Sequence, residues 1–362
     1  MTRDLLYSQT EEDLRESVRA LLAAHCPADG VAAMYDGDES VARDLWTAVS
    51  DAMELPAIGL PEPLGGGGAS AREVAVVMEE LGRVVAPIPF LTSSVIAQRT
   101  LGHCGETELL SAMADGSRVC ALAVPFSSFG RTRGESASVS GGRVTGSVVS
   151  VAGVERADVI LVPALDGADL TLQAVDAADA QVTRRSSLDM SRPVSGIAFA
   201  SAPGRELARG QDADDAVSSG LLMGSAMLAS EQVGVADWCL EATVAYVKQR
   251  NQFGRPVGSF QAIKHRLARL WISVNSARAA ARNAAVLVEP GDVPAKVAVA
   301  LAQSYCSDVA VLAAEECVQL HGGIGMTWEH PAHLYLKRAK ADQLALGTPA
   351  HYRARLAALT SL

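Results

Sequence analysis

The spacing of apolar residues divides the chain into three stretches of different period. In the first, Leu5, Leu14, Val18, Leu21 and Leu22 recur at near-helical intervals with acidic residues on the other face, and the reading stays mainly helical to about residue 116. Thr10-Glu11-Glu12-Asp13 has the form of a capped helix start. The run Leu60-Pro61-Glu62-Pro63-Leu64-Gly65-Gly66-Gly67-Gly68 breaks the helices. No Lys-Ser/Thr follows its four glycines, so a flexible loop is a better reading than a phosphate cradle. From about 117 to 205 the pattern shortens to β-rich runs, VCALAVPF, ASVSGGRVTGSVVSV, ADVILVPAL and VSGIAFAS, cut by Gly, Pro and Asp. Gly141-Gly142 reads as a hairpin turn. Residues 206–215 (ELARGQDADD) read as a polar linker. Helical periodicity then returns over 217–250, 261–288, 295–320 and after Pro331, predicting an antiparallel four-helix bundle. The expected fold is α+β: an N-terminal helical domain (1–116), a middle β-barrel-like domain (117–210) and a C-terminal helical bundle (211–362).

Composition narrows the partners. With 362 residues the chain can bury a large core in two or three domains. A net charge of −10 argues against nucleic acid and against anionic membrane surfaces, because both reward a basic face. No unbroken hydrophobic run reaches the roughly 20 residues of a membrane span, so no span is expected. The N-terminus carries acids early and lacks a signal-peptide apolar block, which reads as cytoplasmic. Cys26, Cys104, Cys120, Cys239, Cys306 and Cys317 show no metal spacing and read as reduced small hydrophobes.

Two segments carry chemistry. Residues 250–265, RNQFGRPVGSFQAIKH, place an Arg, an aromatic, glycines and a Pro at a helix–turn–helix junction flanked by Gln252 and Gln261. The guanidinium of Arg250 suits a pyrophosphate through paired, charge-assisted hydrogen bonds. Phe253 can pack on a flat ring system, and Gly254 and Gly258 allow a close turn. The second segment is Gln319-Leu320-His321-Gly322-Gly323-Ile324-Gly325-Met326, where glycines again permit close backbone approach. His321 reads as a helix-end residue or, less readily, a base. His330 and His333, three apart in Trp328-Glu329-His330-Pro331-Ala332-His333, lack further ligands for a metal site.

Together these segments resemble the acyl-CoA dehydrogenase family, as does the order helical, β, helical along nearly the whole chain. The resemblance implies FAD as cofactor and an acyl-CoA thioester as substrate. It implies cofactor contacts from Arg250, Gln252, Phe253, Gln261, Gln319, Leu320, Gly322 and Gly323, made across a subunit boundary to a neighbour's FAD. Family chemistry removes a proton alpha to the thioester with a carboxylate and passes a hydride from the beta carbon to the flavin.

The same resemblance exposes departures. The commonest base position falls on Leu346, in Leu346-Gly347-Thr348, and leucine accepts no proton. The alternative position of the isovaleryl type falls near Gly224. Glu231, two helical turns further on, is a displaced base or a buried polar or interface residue. Where a flavin-ring loop is expected the chain reads Val124-Pro125-Phe126-Ser127-Ser128-Phe129-Gly130, and Ser150 and Ala152 stand where Trp and Thr are expected. The terminal segment Pro349-Ala350-His351 lacks an expected Gln. This split resembles the second subunit of heteromeric α2β2 acyl-CoA dehydrogenases of actinobacterial steroid catabolism. The expected assembly is thus a homo- or hetero-oligomer, a dimer of dimers with another acyl-CoA dehydrogenase subunit. The alternatives are a self-sufficient homomer using Glu231 and a non-catalytic scaffold of the same fold. No Gly-x-Gly-x-x-Gly follows a strand, which excludes a nicotinamide enzyme.

Overall fold

Ser8 starts the first helix. Its hydroxyl accepts from the Glu11 backbone N–H while the Glu11 carboxylate accepts from the Ser8 N–H, a closed capping box. The expected start at Thr10 therefore moves two residues back. The computed structural model describes residues 5–128 and 136–361. Residues 1–4 of the acidic N-terminus, and Phe129 and Gly130 of the expected flavin loop, lie outside that range.

The N-terminal layer holds α1 (Gln9–His25), α2 (Ala28–Ala33), α3 (Ser40–Met53), α4 (Ala71–Arg83), α5 (Gln98–His103) and α6 (Thr107–Ala114). A second capping box, Ser70 with Glu73, opens α4. Phe90–Ala97 is π-helical, buried at all eight positions, and runs directly into α5. Nothing in the apolar pattern signals that wider winding, which turns every one of these side chains into the core.

The middle domain holds β1 (Cys120–Leu122), β2 (Ala137–Ser140), β3 (Arg143–Ala152), β4 (Val159–Asp166), β5 (Asp169–Asp176), β6 (Ala180–Arg184), β7 (Val194–Pro203) and β8 (Arg205–Arg209). The sheet runs β6-β7-β3-β2-β4-β5-β8, with β1 parallel to β4. Gly141 and Gly142, at φ 56° and 73°, form the two-residue turn between β2 and β3. The polar linker expected at 206–215 does not exist. Its first part is β8, paired with β5, and its remainder is the first turn of the next helix. Charge hid this strand: Arg205 pairs with Glu106 and Arg209 with Asp166, which keeps the edge polar.

The bundle holds α7 (Gln211–Gln249), α8 (Gln261–Leu287), α9 (Val293–His321), α10 (Ala332–Leu344) and α11 (Pro349–Thr360). Small residues let these helices lie close. A Cβ on Gly234 of α7 would fall 1.9 Å from the Glu79 carbonyl oxygen of α4, so the two helices cross at backbone contact. One helix among the described residues is long and apolar enough to cross a membrane, although no unbroken hydrophobic run is. Val293–Met326 passes that test by length and composition, with 72% of its most apolar window buried inside the protein. Gln303, Ser304 and Ser307 interrupt its apolar residues and conceal it from a search for unbroken runs. All six cysteines are free, and all but Cys104 are buried.

Candidate functional site

Leu346 and Gly224, on or near which the sequence resemblance sets the expected base, meet in space. Leu346 is 2% exposed. A Cβ built on Gly224 of α7 would fall 3.2 Å from Leu346 Cδ1 and 2.6 Å from Ile96 Cγ1 of the π-helical segment. Even a methyl group at Gly224 has no room, so no carboxylate fits there in this packing. One turn earlier, a Cβ on Gly220 would fall 2.1 Å from Thr100 Oγ1. Gly220 and Gly224, four apart, thus press α7 against residues 90–103, and Ile96 and Leu346 fill the space beside Gly224 with hydrocarbon.

Leu346 also holds an unusual backbone. Its φ is 53°, which costs an L-residue about 1–2 kcal/mol. Two hydrogen bonds of 2.7 Å hold it: its N–H donates to the Phe126 carbonyl, and its carbonyl accepts from the Tyr352 hydroxyl. The Phe126 N–H in turn donates to the Ser150 carbonyl at 2.7 Å. The three segments expected around a flavin ring, at 124–128, 150–152 and 346, are therefore laced to one another through Phe126.

Glu231 sits elsewhere, about 10 Å along α7 from Gly224 at seven residues' rise. It is 1% exposed and accepts from Arg192 Nη2 with both carboxylate oxygens, at 2.7 and 2.6 Å. Arg338 Nη1 of α10 donates to it as well. The same two guanidiniums reach Asp189 and Asp342. Burial works against charge on Asp189, but Arg338, Ser191 and Arg192 outweigh it and hold the carboxyl below its usual range. Burial and then the Glu231 charge push the Asp342 carboxyl well above its usual range. Asp342 Oδ2 has no hydrogen-bond partner among the described residues. A protonated Asp342 leaves two guanidiniums facing two carboxylates, a neutral cluster. It ties α7 and α10 to the loop between β6 and β7. Both Glu231 oxygens are engaged in it, and the carboxylate is 1% exposed, so it sits inside an ion-pair cluster rather than on an open surface.

The cofactor segments have the opposite character. Tyr246, one turn before Arg250, lies 4.4 Å between ring centroids from His321, the residue preceding Gly322. This contact joins motifs that are 71 positions apart. Arg250, Gln252, Phe253, Gln261, Gln319, Gly322 and Gly323 are all exposed, and Leu320 is half-buried. Phe253 is 90% exposed at φ 51°, with one edge-on ring contact to Phe260 at 6.2 Å between centroids. Cβ atoms on Gly322 or Gly323 would meet nothing within 4 Å. The Arg250, Lys264 and Arg269 side chains have no ion-pair partner among the described residues, while Arg255 lies over the Phe260 ring. Donors, a cation and open backbone together fit an extended anionic cofactor approaching from outside. His321 is buried and its Nδ1 lies 2.7 Å from the Cys317 carbonyl, which leaves it a helix-end residue. No group of three or more metal-binding side chains occurs among the described residues.

Sequence reading missed Arg192, Asp189, Arg338 and Asp342, because their partnership depends on bringing three segments together. It also missed Ile96, whose signal was only its apolar character, and gave Phe126 no role beyond its place in the expected flavin-ring loop. A charged residue inside an apolar helix face, as at Glu231 and Arg338, is the one hint that could have pointed to the cluster.

Residues 8–115 match the acyl-CoA dehydrogenase N-terminal domain and residues 215–359 the C-terminal domain of the same family. The chain is 34% identical to acyl-CoA dehydrogenase IpdE2 of Mycolicibacterium smegmatis, over 97% of this chain and 99% of that protein. Among solved structures it resembles the ChsE4-ChsE5 complex from Mycobacterium tuberculosis, with TM-score 0.86 and 27% identity over 99% of each chain. It also resembles a variant of the Tcur3481-Tcur3483 steroid ACAD, with TM-score 0.84 and 28% identity over 98% of each chain.

Proposed function

The chain belongs to the acyl-CoA dehydrogenase family, and from that premise we propose that it is a base-lacking, FAD-holding subunit working with a second, catalytic acyl-CoA dehydrogenase chain. The pair desaturates an acyl-CoA thioester between its alpha and beta carbons. The observation that carries this reading is the contact of Gly224, Ile96 and Leu346, where both positions expected for the base are closed by hydrocarbon. FAD, when bound, supplies the hydride acceptor. This chain's part is to bind and orient the pyrophosphate and adenosine end through Arg250, Gln252, Phe253 and Gln261, and through Gln319, Leu320, Gly322 and Gly323.

Exposed apolar groups beside those segments support a subunit contact. Phe253, Met326 and Trp328 are 90%, 82% and 65% exposed, and Trp271 and Ile272 of α8 are 59% exposed. The likeness to the ChsE4-ChsE5 complex supports pairing with a different chain, and the likeness to a steroid ACAD makes a steroid-derived acyl group the first substrate to test. Arg250→Ala, introduced into the chain co-purified with a second acyl-CoA dehydrogenase chain, tests the cofactor role. The flavin absorbance retained per complex should fall while the complex stays assembled. Full flavin retention would remove Arg250 from the cofactor site.

A further inference from the structure

The helix over residues 90–103 has two unlike faces. Ile96 and Thr100 seal one of them against Gly224 and Gly220. The other face, with Ser94, Val95, Arg99 and Gly102, borders a cavity of about 510 Å³. Leu60, Leu64, Val74, Leu110 and Met223 give that cavity an apolar wall. Ser94 is 9% exposed, and its Oγ has no hydrogen-bond partner among the described residues, an unmet polar group in the wall.

Arg99 stands between this cavity and another. Its Nε donates to Ser219 Oγ at 2.9 Å and its Nη2 to the Glu289 carbonyl at 2.6 Å, which fixes the guanidinium in place. Arg99 and His103 also line a second cavity of about 760 Å³, which carries Lys296 and Arg355 beside Asp214 and Asp215. An apolar chamber and a charged chamber thus share one wall. Both volumes fall in the range of small-molecule sites, about 300–1,000 Å³.

We propose that the paired chambers bind an amphipathic acyl anion. Its apolar chain lies among Leu60, Val74 and Met223, and its anionic head meets Arg99, Lys296 and Arg355. A rigid cation at the boundary of an apolar chamber suits this chemistry, because the chain is desolvated while the head keeps a charged partner. The apolar chamber lies across the helix from the Gly224–Leu346 contact, while the charged chamber reaches Ser225 and Tyr352, whose hydroxyl donates to the Leu346 carbonyl.

Free fatty acids and acyl-CoA thioesters share that chemistry and differ in the head: a carboxylate in one, the phosphates of CoA in the other. Calorimetric titration of the full-length chain with decanoate and, separately, decanoyl-CoA distinguishes them. At least one should bind at one per chain, and the better binder identifies the source. Gly102 lines the apolar chamber, with nothing within 4 Å of an added Cβ, so Gly102→Trp sets an indole at its rim. It should weaken binding by about tenfold or more. Lys296→Glu with Arg355→Glu, a surface change at the other chamber, should weaken it too, and serves alone if Gly102→Trp melts early. Binding of neither ligand, or an affinity in a folded variant within about twofold of the unaltered chain, overturns the proposal. The titration uses the chain without FAD or partner, so its failure leaves the subunit assignment standing.

Discussion

The two halves of α7 treat polar groups in opposite ways. Around Glu231 the acids and guanidiniums are largely buried and face one another, and beside Gly224 Ile96 and Leu346 fill the contact with hydrocarbon. At the far end the Arg250, Lys264 and Arg269 side chains stand exposed with no ion-pair partner among the described residues. A region that has lost its chemistry is free to close, since packing stabilises it and no substrate has to enter. A region that still serves a ligand must keep groups unsatisfied, which is unfavourable unless the ligand arrives. The contrast assigns structure to the first half and binding to the second.

The largest effect should come from breaking the buried cluster. Glu231→Gln removes the carboxylate that Arg192 and Arg338 share, leaving them only Asp342 and Asp189, and should cost about 3–5 kcal/mol, read as a lower urea midpoint. If Glu231 were instead a catalytic base, the same change would abolish turnover with the midpoint unmoved. Next comes the exposed end. Arg250→Ala removes charge-assisted hydrogen bonds and should weaken FAD retention by about 1.5–3 kcal/mol, with no change in melting of the FAD-free chain. A loss of stability there would mean that the arginine is structural after all. Gly224→Ala should cost about 1–3 kcal/mol, because its methyl collides with Ile96. A neutral result would show that the junction has room.

The smallest effect concerns Asp342. Its folded carboxyl titrates above its unfolded value, so the native state holds a proton that the unfolded chain releases. The stability linked to that proton is fully present below the unfolded value, near pH 4. It declines as pH rises from there toward the folded value. Asp342→Asn mimics the protonated form. It should shift stability by less than about 1 kcal/mol at pH 5 and flatten the decline at higher pH. Asp189 works in the other sense: held below its usual range, it contributes stability above the unfolded value that is lost as pH falls. Denaturation midpoints measured from about pH 2 to about pH 8 on the unaltered chain and on Asp342→Asn separate the two carboxyls, Asp189 acting at the acid end and Asp342 above it.

Much of this contrast was legible before any coordinates. Periodicity separated helical, β and helical regions, and the segments at 250–265 and 319–326 carried the cofactor reading through residue types alone. Leu346 and Gly224 announced a missing base. What stayed hidden depends on three-dimensional convergence. Leu346, Gly224 and Ile96 are distant in sequence, and their contact follows from α7 lying against residues 90–103. The cluster around Glu231 draws on Asp189, Arg192, Arg338 and Asp342, and no local spacing links them. The strand Arg205–Arg209 was masked by charges that its neighbours neutralise, and the cap at Ser8 by an equally plausible Thr10 two residues on.

The central claim is that this chain holds cofactor without supplying the base. Its most direct test measures FAD per chain and acyl-CoA-dependent reduction of an artificial electron acceptor, for the chain alone and for its complex with a catalytic acyl-CoA dehydrogenase chain. The account predicts no turnover by the chain alone, and turnover with bound FAD in the complex. A chain that binds one FAD per subunit by itself and oxidises an acyl-CoA would contradict it.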